Sequence, residues 1–392
     1  MKNSLLASVV ASTALLAAHL AVAQSPYNLN VMEPLTGSGA FLGQGQKAAL
    51  ESLANSVNQS GGINGQPVNL VFHDDQTSPQ TAVQLLNQVL ATHPPVILGS
   101  ALVAMCNAMA PILRNGPLLY CLSPGHSPVP GTYDIASGAP VDDTVQALFR
   151  FFRLKGWTRL ALITSSDASG QEADRAIGKV LALPENKHLD LIEHVHFNPT
   201  DISVSAQVER VKAAHPQAFI AWTTGTPIAT VFKAIEQTGL DVPVGTTAGN
   251  FVYSQMKQFA AFVPNQLYLA GSAFTPHEGV YKLDPRVEAV QHKFYAIMDA
   301  AGIVPDNMAS TSWDAGAIVI DALKQPGPNA TAEQLKNYIL SLNDYAGING
   351  LYDFKTNPTH GLGAAGVVVL RWDGPSQRFV WASAPGGVLL PN

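Results

Sequence analysis

Short runs of aliphatic and β-branched residues alternate with helical stripes along almost the whole of this chain, and that alternation admits few folds. Strand-like runs occur at Leu29 to Met32, Val68 to Phe72, Val96 to Leu98 and Leu118 to Cys121, and a helical pattern follows each of the first three. Strands separated by helices pair in parallel, with the helices on the faces of the sheet. One connecting helix is marked at its start by Ser78 as a cap and Pro79 in the first turn; Ala82, Leu85, Leu86, Val89 and Leu90 then form its apolar stripe. The regularity lapses in SPGHSPVPGTYDIASGAP. A second series then begins: Leu160 to Ile163, Leu191 to Val195, Ala218 to Trp222, Val242 to Val244 and Leu267 to Ala270. Its helices carry the same punctuation, as where Thr226-Pro227 opens a stripe of Ile228, Val231, Phe232 and Ile235 that stops at Gly239. Three helices are expected next, Pro285 to Ala300, Ser310 to Lys324 and Thr331 to Leu342, the last with a Thr331/Gln334 capping box. VVVLRWDG and RFVWAS read as a closing hairpin. The pattern predicts two doubly wound parallel-sheet lobes with a crevice facing the carboxyl ends of their strands, where ligands bind.

With 392 residues, 47% hydrophobic and 13% charged, the chain has material for a large core and more than one domain. Its first residues read as a secretory signal: Lys2 is the basic n-region, Leu5 to Leu20 the apolar h-region and Ala21-Val22-Ala23 the cleavage site. A membrane anchor is the competing reading, but Ser12, Thr13 and His19 interrupt the apolar run. Removing Lys2 with the signal leaves 21 Lys plus Arg against 28 Asp plus Glu, a net −7. No basic run favours nucleic acid, so a diffusible small molecule is the expected partner. Cys106 opens a helix and Cys121 ends the following strand, at the same sheet edge; an exported protein can pair them, and two buried free thiols are the alternative.

Several motifs approach catalytic signatures and miss. Gly37, Gly39 and Gly43 space as GxGxxxG, one residue longer than the dinucleotide fingerprint, and the acid expected about 20 residues further on is absent from Asn58 to Gly61. The loop is either a turn needing positive φ or one wall of a ligand mouth. GHSPV starts like a nucleophile elbow but has Val129 where the second glycine belongs, and Ser127 sits between Pro124 and Pro128. Its hydroxyl remains a donor for a ligand carboxylate. HDDQ, His73 to Gln76, suits turn and cap duty better than a metal, because neighbouring strand residues face opposite ways. TPHEG lacks the second histidine of a zinc-protease helix. Eleven histidines are otherwise scattered, the common cysteine-zinc spacings are absent, and no constellation meets the requirements of an enzyme. No metal, catalytic residue or cofactor is expected.

The stretch PLTGSGAFLGQGQKAALESLANSVNQSGGINGQPVNLVFHDDQTSPQTAVQLLNQVL strongly resembles the leucine/isoleucine/valine-binding family of periplasmic substrate-binding proteins, the type I fold of ABC importers. ILGSALVA, PLLYCLSPGHS, ALITSSDASGQEADRAI and STSWDAGAIVIDALK extend the likeness through nearly all of the chain after the signal. The resemblance implies two lobes joined by three crossings, near Ser137, Ala270 and Tyr345, closing on a ligand like a hinged trap. It divides the chain into a signal peptide at 1–23, a first lobe at 24–137 with 271–345, and a second at 138–270 with 346–392. It also makes the glycine loop part of a ligand mouth.

Family contacts carried over position by position place the ligand's α-carboxylate at Gly125, His126 and Ser127, whereas the hydroxyl usual near Val103 is missing from Ala101-Leu102-Val103-Ala104-Met105. Ser169 stands where relatives have a tyrosine, and Thr247 near where amino-acid binders have the acid that pairs with the ammonium. Burying an ammonium without that acid costs several kcal/mol, so the departure disfavours an α-amino acid. Glu33, where relatives usually have a small residue, is the one replacement acid in view. Phe41, Leu42, Leu102, Val103, Met105, Tyr253 and Phe274 are candidate apolar walls, and Thr224 and Thr226 further donors on the second lobe. The expectation is a monomeric periplasmic receptor that captures a small carboxylated ligand, aromatic or hydrophobic, and delivers it to an ABC permease. An amino acid or amide ligand, a sensor for a membrane receptor without transport, and a secreted hydrolase acting through Ser127 are the alternatives.

Overall fold

The computed structural model describes residues 25–274, 281–327 and 329–391. The expected signal sequence and TPHEG lie outside the described residues. Among those described, no helix is long and apolar enough to cross a membrane.

The first half builds one sheet: β1 (Tyr27–Glu33), α1 (Ala40–Gln59), β2 (Val68–Asp74), α2 (Pro79–Leu90), β3 (Val96–Gly99), α3 (Val103–Met109), β4 (Leu118–Cys121) and β5 (Asp134–Ala136). All its pairings are parallel, in the order β2-β1-β3-β4-β5. The second half follows with α4 (Val141–Leu154), β6 (Arg159–Ser165), α5 (Ala168–Leu181), β7 (Asp190–Phe197), α6 (Ser205–Ala213), β8 (Ala218–Trp222), α7 (Pro227–Thr238), β9 (Val244–Thr247), α8 (Tyr253–Gln258) and β10 (Leu267–Ser272). The chain then adds α9 (Pro285–Ala300), α10 (Asn307–Lys324) and α11 (Ala332–Ser341), a small hairpin of β11 (Tyr345–Gly347) and β12 (Gly350–Tyr352), and finally β13 (Val367–Asp373) and β14 (Arg378–Trp381). The second sheet runs β14-β13-β10-β9-β8-β6-β7, parallel except where β13 and β14 join. This is the doubly wound α/β architecture that the alternation predicts.

Local signals explain most of the elements. Ser78 accepts from the Thr81 amide at the start of α2, Gly239 caps α7 in the left-handed conformation, and the Thr331/Gln334 capping box forms on α11. On α4 the stripe Val145, Leu148, Phe149 and Phe152 is buried, each such side chain contributing roughly 1.5–3 kcal/mol by leaving water.

Three placements differ from the sequence reading. The stretch after β4 is not wholly irregular, since Asp134 to Ala136 finds a free edge beside β4 and becomes β5. β9 begins at Val244 rather than at Val242. Residues after Tyr345 do not return at once to the second sheet, which the chain rejoins only at Val367. Until then the hairpin is held against α10 by the buried carboxylate of Asp314, which accepts from the amides of Ile348 and Asn349, the Asn349 side chain and the Tyr352 hydroxyl. Further on, the Ala136 amide donates to Thr359 and His360 reaches the His126 carbonyl. Cys106 and Cys121 are bonded to each other, tying α3 to β4.

Candidate functional site

A doubly wound sheet splits open where its strand order reverses, because the loops on either side of that point leave in opposite directions. In the first sheet the reversal lies between β1 and β3, in the second between β6 and β8. The two reversal points face each other, and between them lies a hollow of about 50 Å³. Water needs roughly 10–15 Å³ by the same measure, so the hollow holds a few small-molecule atoms as it stands.

The glycine loop after β1 is built by its neighbours. Asp74 accepts from the amides of Leu35, Thr36 and Gln76 and from the Thr36 hydroxyl, while Thr77 Oγ1 accepts from the Gly39 amide and donates to the Thr36 carbonyl. Partial burial works against ionisation of Asp74, but those donors, the Thr36 hydroxyl foremost, outweigh it and hold its carboxyl below the usual range. Gly37 has φ of 84°, and a Cβ on Gly43 would come within 2.4 Å of the Pro34 carbonyl. The glycines thus serve a tight loop over the start of α1. HDDQ performs the turn and cap duty expected of it: Asp75 accepts from Ser100 and the Thr77 amide, and His73 meets Asn30.

From the first lobe the hollow receives Leu42, Ala101, Val103, Ser123, Pro124, Gly125 and Met308, with Ala139 and Val141 at the connection. The second lobe contributes Thr144, Ser169, Glu172, Trp222, Thr224, Thr247, Ala248, Gly249 and Ala270. Of the residues expected at the site, Leu42, Val103, Gly125, Ser169, Thr224 and Thr247 are brought together here. The hydroxyls of Ser123, Ser169 and Thr224 have no hydrogen-bond partner among the described residues. Thr247 accepts from the Gly249 amide. No lysine or arginine lines the hollow.

The other expected residues are placed elsewhere. His126 is buried with Nδ1 against Asn107 and Nε2 against Asp134, each at 2.8 Å, so its ring is a structural tie turned away from the hollow. Ser127 donates across the cleft to Glu172 at 2.7 Å, a use of its hydroxyl proton that leaves none for a ligand anion in this arrangement. Thr226 starts α7, but its amide faces the Ser38 carbonyl of the first lobe. Phe41 and Leu102 pack beside Leu42 and Val252 without reaching the hollow. Tyr253 and Phe274 stack in an aromatic cluster around Phe251 that Phe379 and Trp372 complete.

Glu33 is fully buried at the end of β1 and does not line the hollow; neither carboxyl oxygen has a hydrogen-bond partner. Burial first, and the nearby Asp75 second, push its pKa well up, which disfavours the charged form that an ammonium would need. The acid that does reach the hollow is Glu172, which also binds Arg175. Sequence reasoning missed Glu172 and Trp222. Trp222 ends β8 and Glu172 lies in the second turn of α5, the helix that follows β6, so both flank the reversal point of the second sheet, which was the available signal. A larger groove of about 650 Å³ lies on the outer side of the first lobe between α1, α9 and α10, away from both reversal points.

Two α/β lobes meeting over a polar and apolar hollow at facing reversal points define a ligand-trapping receptor. Residues 26–377 match the family model described as periplasmic binding protein. The chain belongs to the leucine/isoleucine/valine-binding family of periplasmic binding proteins. It is 30% identical over 112 residues to Leu/Ile/Val-binding protein homolog 3 of Brucella melitensis, a match spanning 28% of this chain and 30% of that relative. The crystal structure of an extracellular ligand-binding receptor from Rhodopseudomonas palustris HaA2 superposes with a TM-score of 0.78 at 21% identity, covering 91% of this chain and all of that one. The branched-chain amino acid transporter substrate binding protein LivJ from Streptococcus pneumoniae, in complex with isoleucine, gives 0.74 at 15% identity, covering 90% and 97%. These two likenesses establish the type I fold.

Proposed function

We propose that this chain is a periplasmic solute receptor that captures a small carboxylated molecule with an apolar body and hands it to an ABC permease. The observation that carries the reading is the lining of the hollow: unpartnered hydroxyls on Ser123, Ser169 and Thr224 beside apolar Leu42, Val103, Trp222 and Met308, with no basic residue. Neutral donors suit a single carboxylate, and the apolar wall suits an aliphatic or aromatic remainder. An aromatic ring needs the lobes to part before it enters, which a hinged receptor provides; contacts made only after closure then shift the population to the closed form.

A second reading, an amino-acid receptor, is favoured by the carboxylate of Glu172 at the hollow and by the names of the relatives. A thermal-shift panel of short-chain acids, aromatic acids and common amino acids on the mature protein separates them, because a ligand bound only by the folded state raises the melting temperature. Stabilisation by plain carboxylates with none by amino acids is the expected outcome. Shifts with leucine or isoleucine that vanish in Glu172→Gln would sink it and establish the second reading.

A further inference from the structure

We propose a divalent transition-metal site on the flank of the second lobe, formed by His194, His196 and Asp174. In a strand, residues two apart share a face, so the His-Val-His step on β7 presents both imidazoles to the same side. β7 is the edge strand of its sheet, and α5 runs over that face, bringing Asp174 onto the histidine pair. His194 Nε2 lies 3.1 Å from Asp174 Oδ1, and His196 Nε2 lies 3.0 Å from Asp174 Oδ2. Potential ligand atoms from all three residues fall within 4.8 Å of one another. A tetrahedral centre with bonds of about 2.0–2.1 Å holds its donors roughly 3.3–3.4 Å apart, and both imidazole–carboxylate separations lie within a few tenths of an ångström of that spacing.

A second observation points the same way. Asp174 Oδ1 is buried 3.1 Å from His194 Nε2, which also meets the Thr164 hydroxyl at 3.2 Å, and has no other partner among the described residues. Two lone-pair donors converging on one point satisfy that arrangement when a cation sits between them.

Two imidazoles and one carboxylate suit zinc and its neighbours rather than calcium or magnesium, and they leave a fourth position open. The ion would bridge α5 to β7, and the first turns of α5 carry Ser169 and Glu172 to the cleft. The site is independent of which solute the cleft takes.

Isothermal titration of the untagged mature protein with Zn²⁺, repeated with Co²⁺ to follow its visible absorption, tests the proposal. One ion per chain is expected, with binding weakened at least tenfold in His196→Ala and in Asp174→Asn. His196 is more than half exposed, so its replacement leaves the fold intact. No binding by the parent protein, or binding unchanged in both variants, would overturn the site.

Discussion

Glu33 and Asp75 place two carboxyls together at the end of β1 with too few donors for both. Asp75 has the Ser100 hydroxyl and the Thr77 amide and is pushed up only to about 6, chiefly by burial, whereas Glu33 has neither and takes the proton. In the unfolded chain Glu33 ionises near its ordinary 4.5, while the fold keeps it neutral to higher pH. The folded state therefore holds the extra proton above about pH 4.5, and stability falls as pH rises, by at most about 1.4 kcal/mol per pH unit for one proton. Glu33→Gln removes that dependence. Thermal melts should show the variant gaining on the parent from pH 5 to pH 8; parallel curves would mean that Glu33 is ionised in the fold. Burial pushes the pKa of Asp314 up as well, but its carboxyl accepts four hydrogen bonds, and Asp314→Ala should cost about 1–3 kcal/mol in urea unfolding for each buried donor it strands.

Among the elements, α3 is the shortest helix of the first lobe and carries Val103 to the hollow. Its covalent tie to β4 closes a loop with a sequence separation of 15. A cross-link of that span stabilises by about 3 kcal/mol, mainly by restricting the unfolded chain. Reduction should lower the unfolding free energy measured in urea by that amount, with a lower midpoint, and the paired substitution of both cysteines by alanine should match it. An unchanged midpoint would show that the bond does not form in the purified protein. α5 does two jobs from two faces, Ser169 and Glu172 toward the cleft and Asp174 toward β7. Its helical periodicity was readable, but the partners of each face were not, because they come from β6, β7 and the opposite lobe.

For the whole molecule, the hydrogen bond from Ser127 to Glu172 is a latch between lobes that forms only when they meet. A half-exposed bond of this kind contributes about 0.5–1.5 kcal/mol. Ser127→Ala should weaken ligand binding by about two- to tenfold by calorimetry and enlarge the unliganded molecule in solution scattering, since Glu172 keeps Arg175 and leaves no unpaired charge. An affinity loss of a thousandfold would instead place Ser127 on the ligand.

The alternating pattern, the caps at Ser78, Thr331 and Gly239 and the glycine loop were legible before any coordinates, because each depends on residues within a turn or two of one another. So was the crevice, since two doubly wound lobes open one at the carboxyl ends of their strands whatever the exact strand order. Which side chains line that crevice was not legible. His126 and Ser127 hold the right positions in the chain, yet one is captured by Asn107 and Asp134 and the other by Glu172, partners 19, 8 and 45 residues away. The direction of a side chain on an irregular loop is set by whichever distant donor or acceptor packing brings within reach, and local sequence carries no record of that choice. The same holds for His194, His196 and Asp174: the sequence reading left these histidines among the scattered ones, because the carboxylate that joins them arrives only when α5 crosses the edge strand.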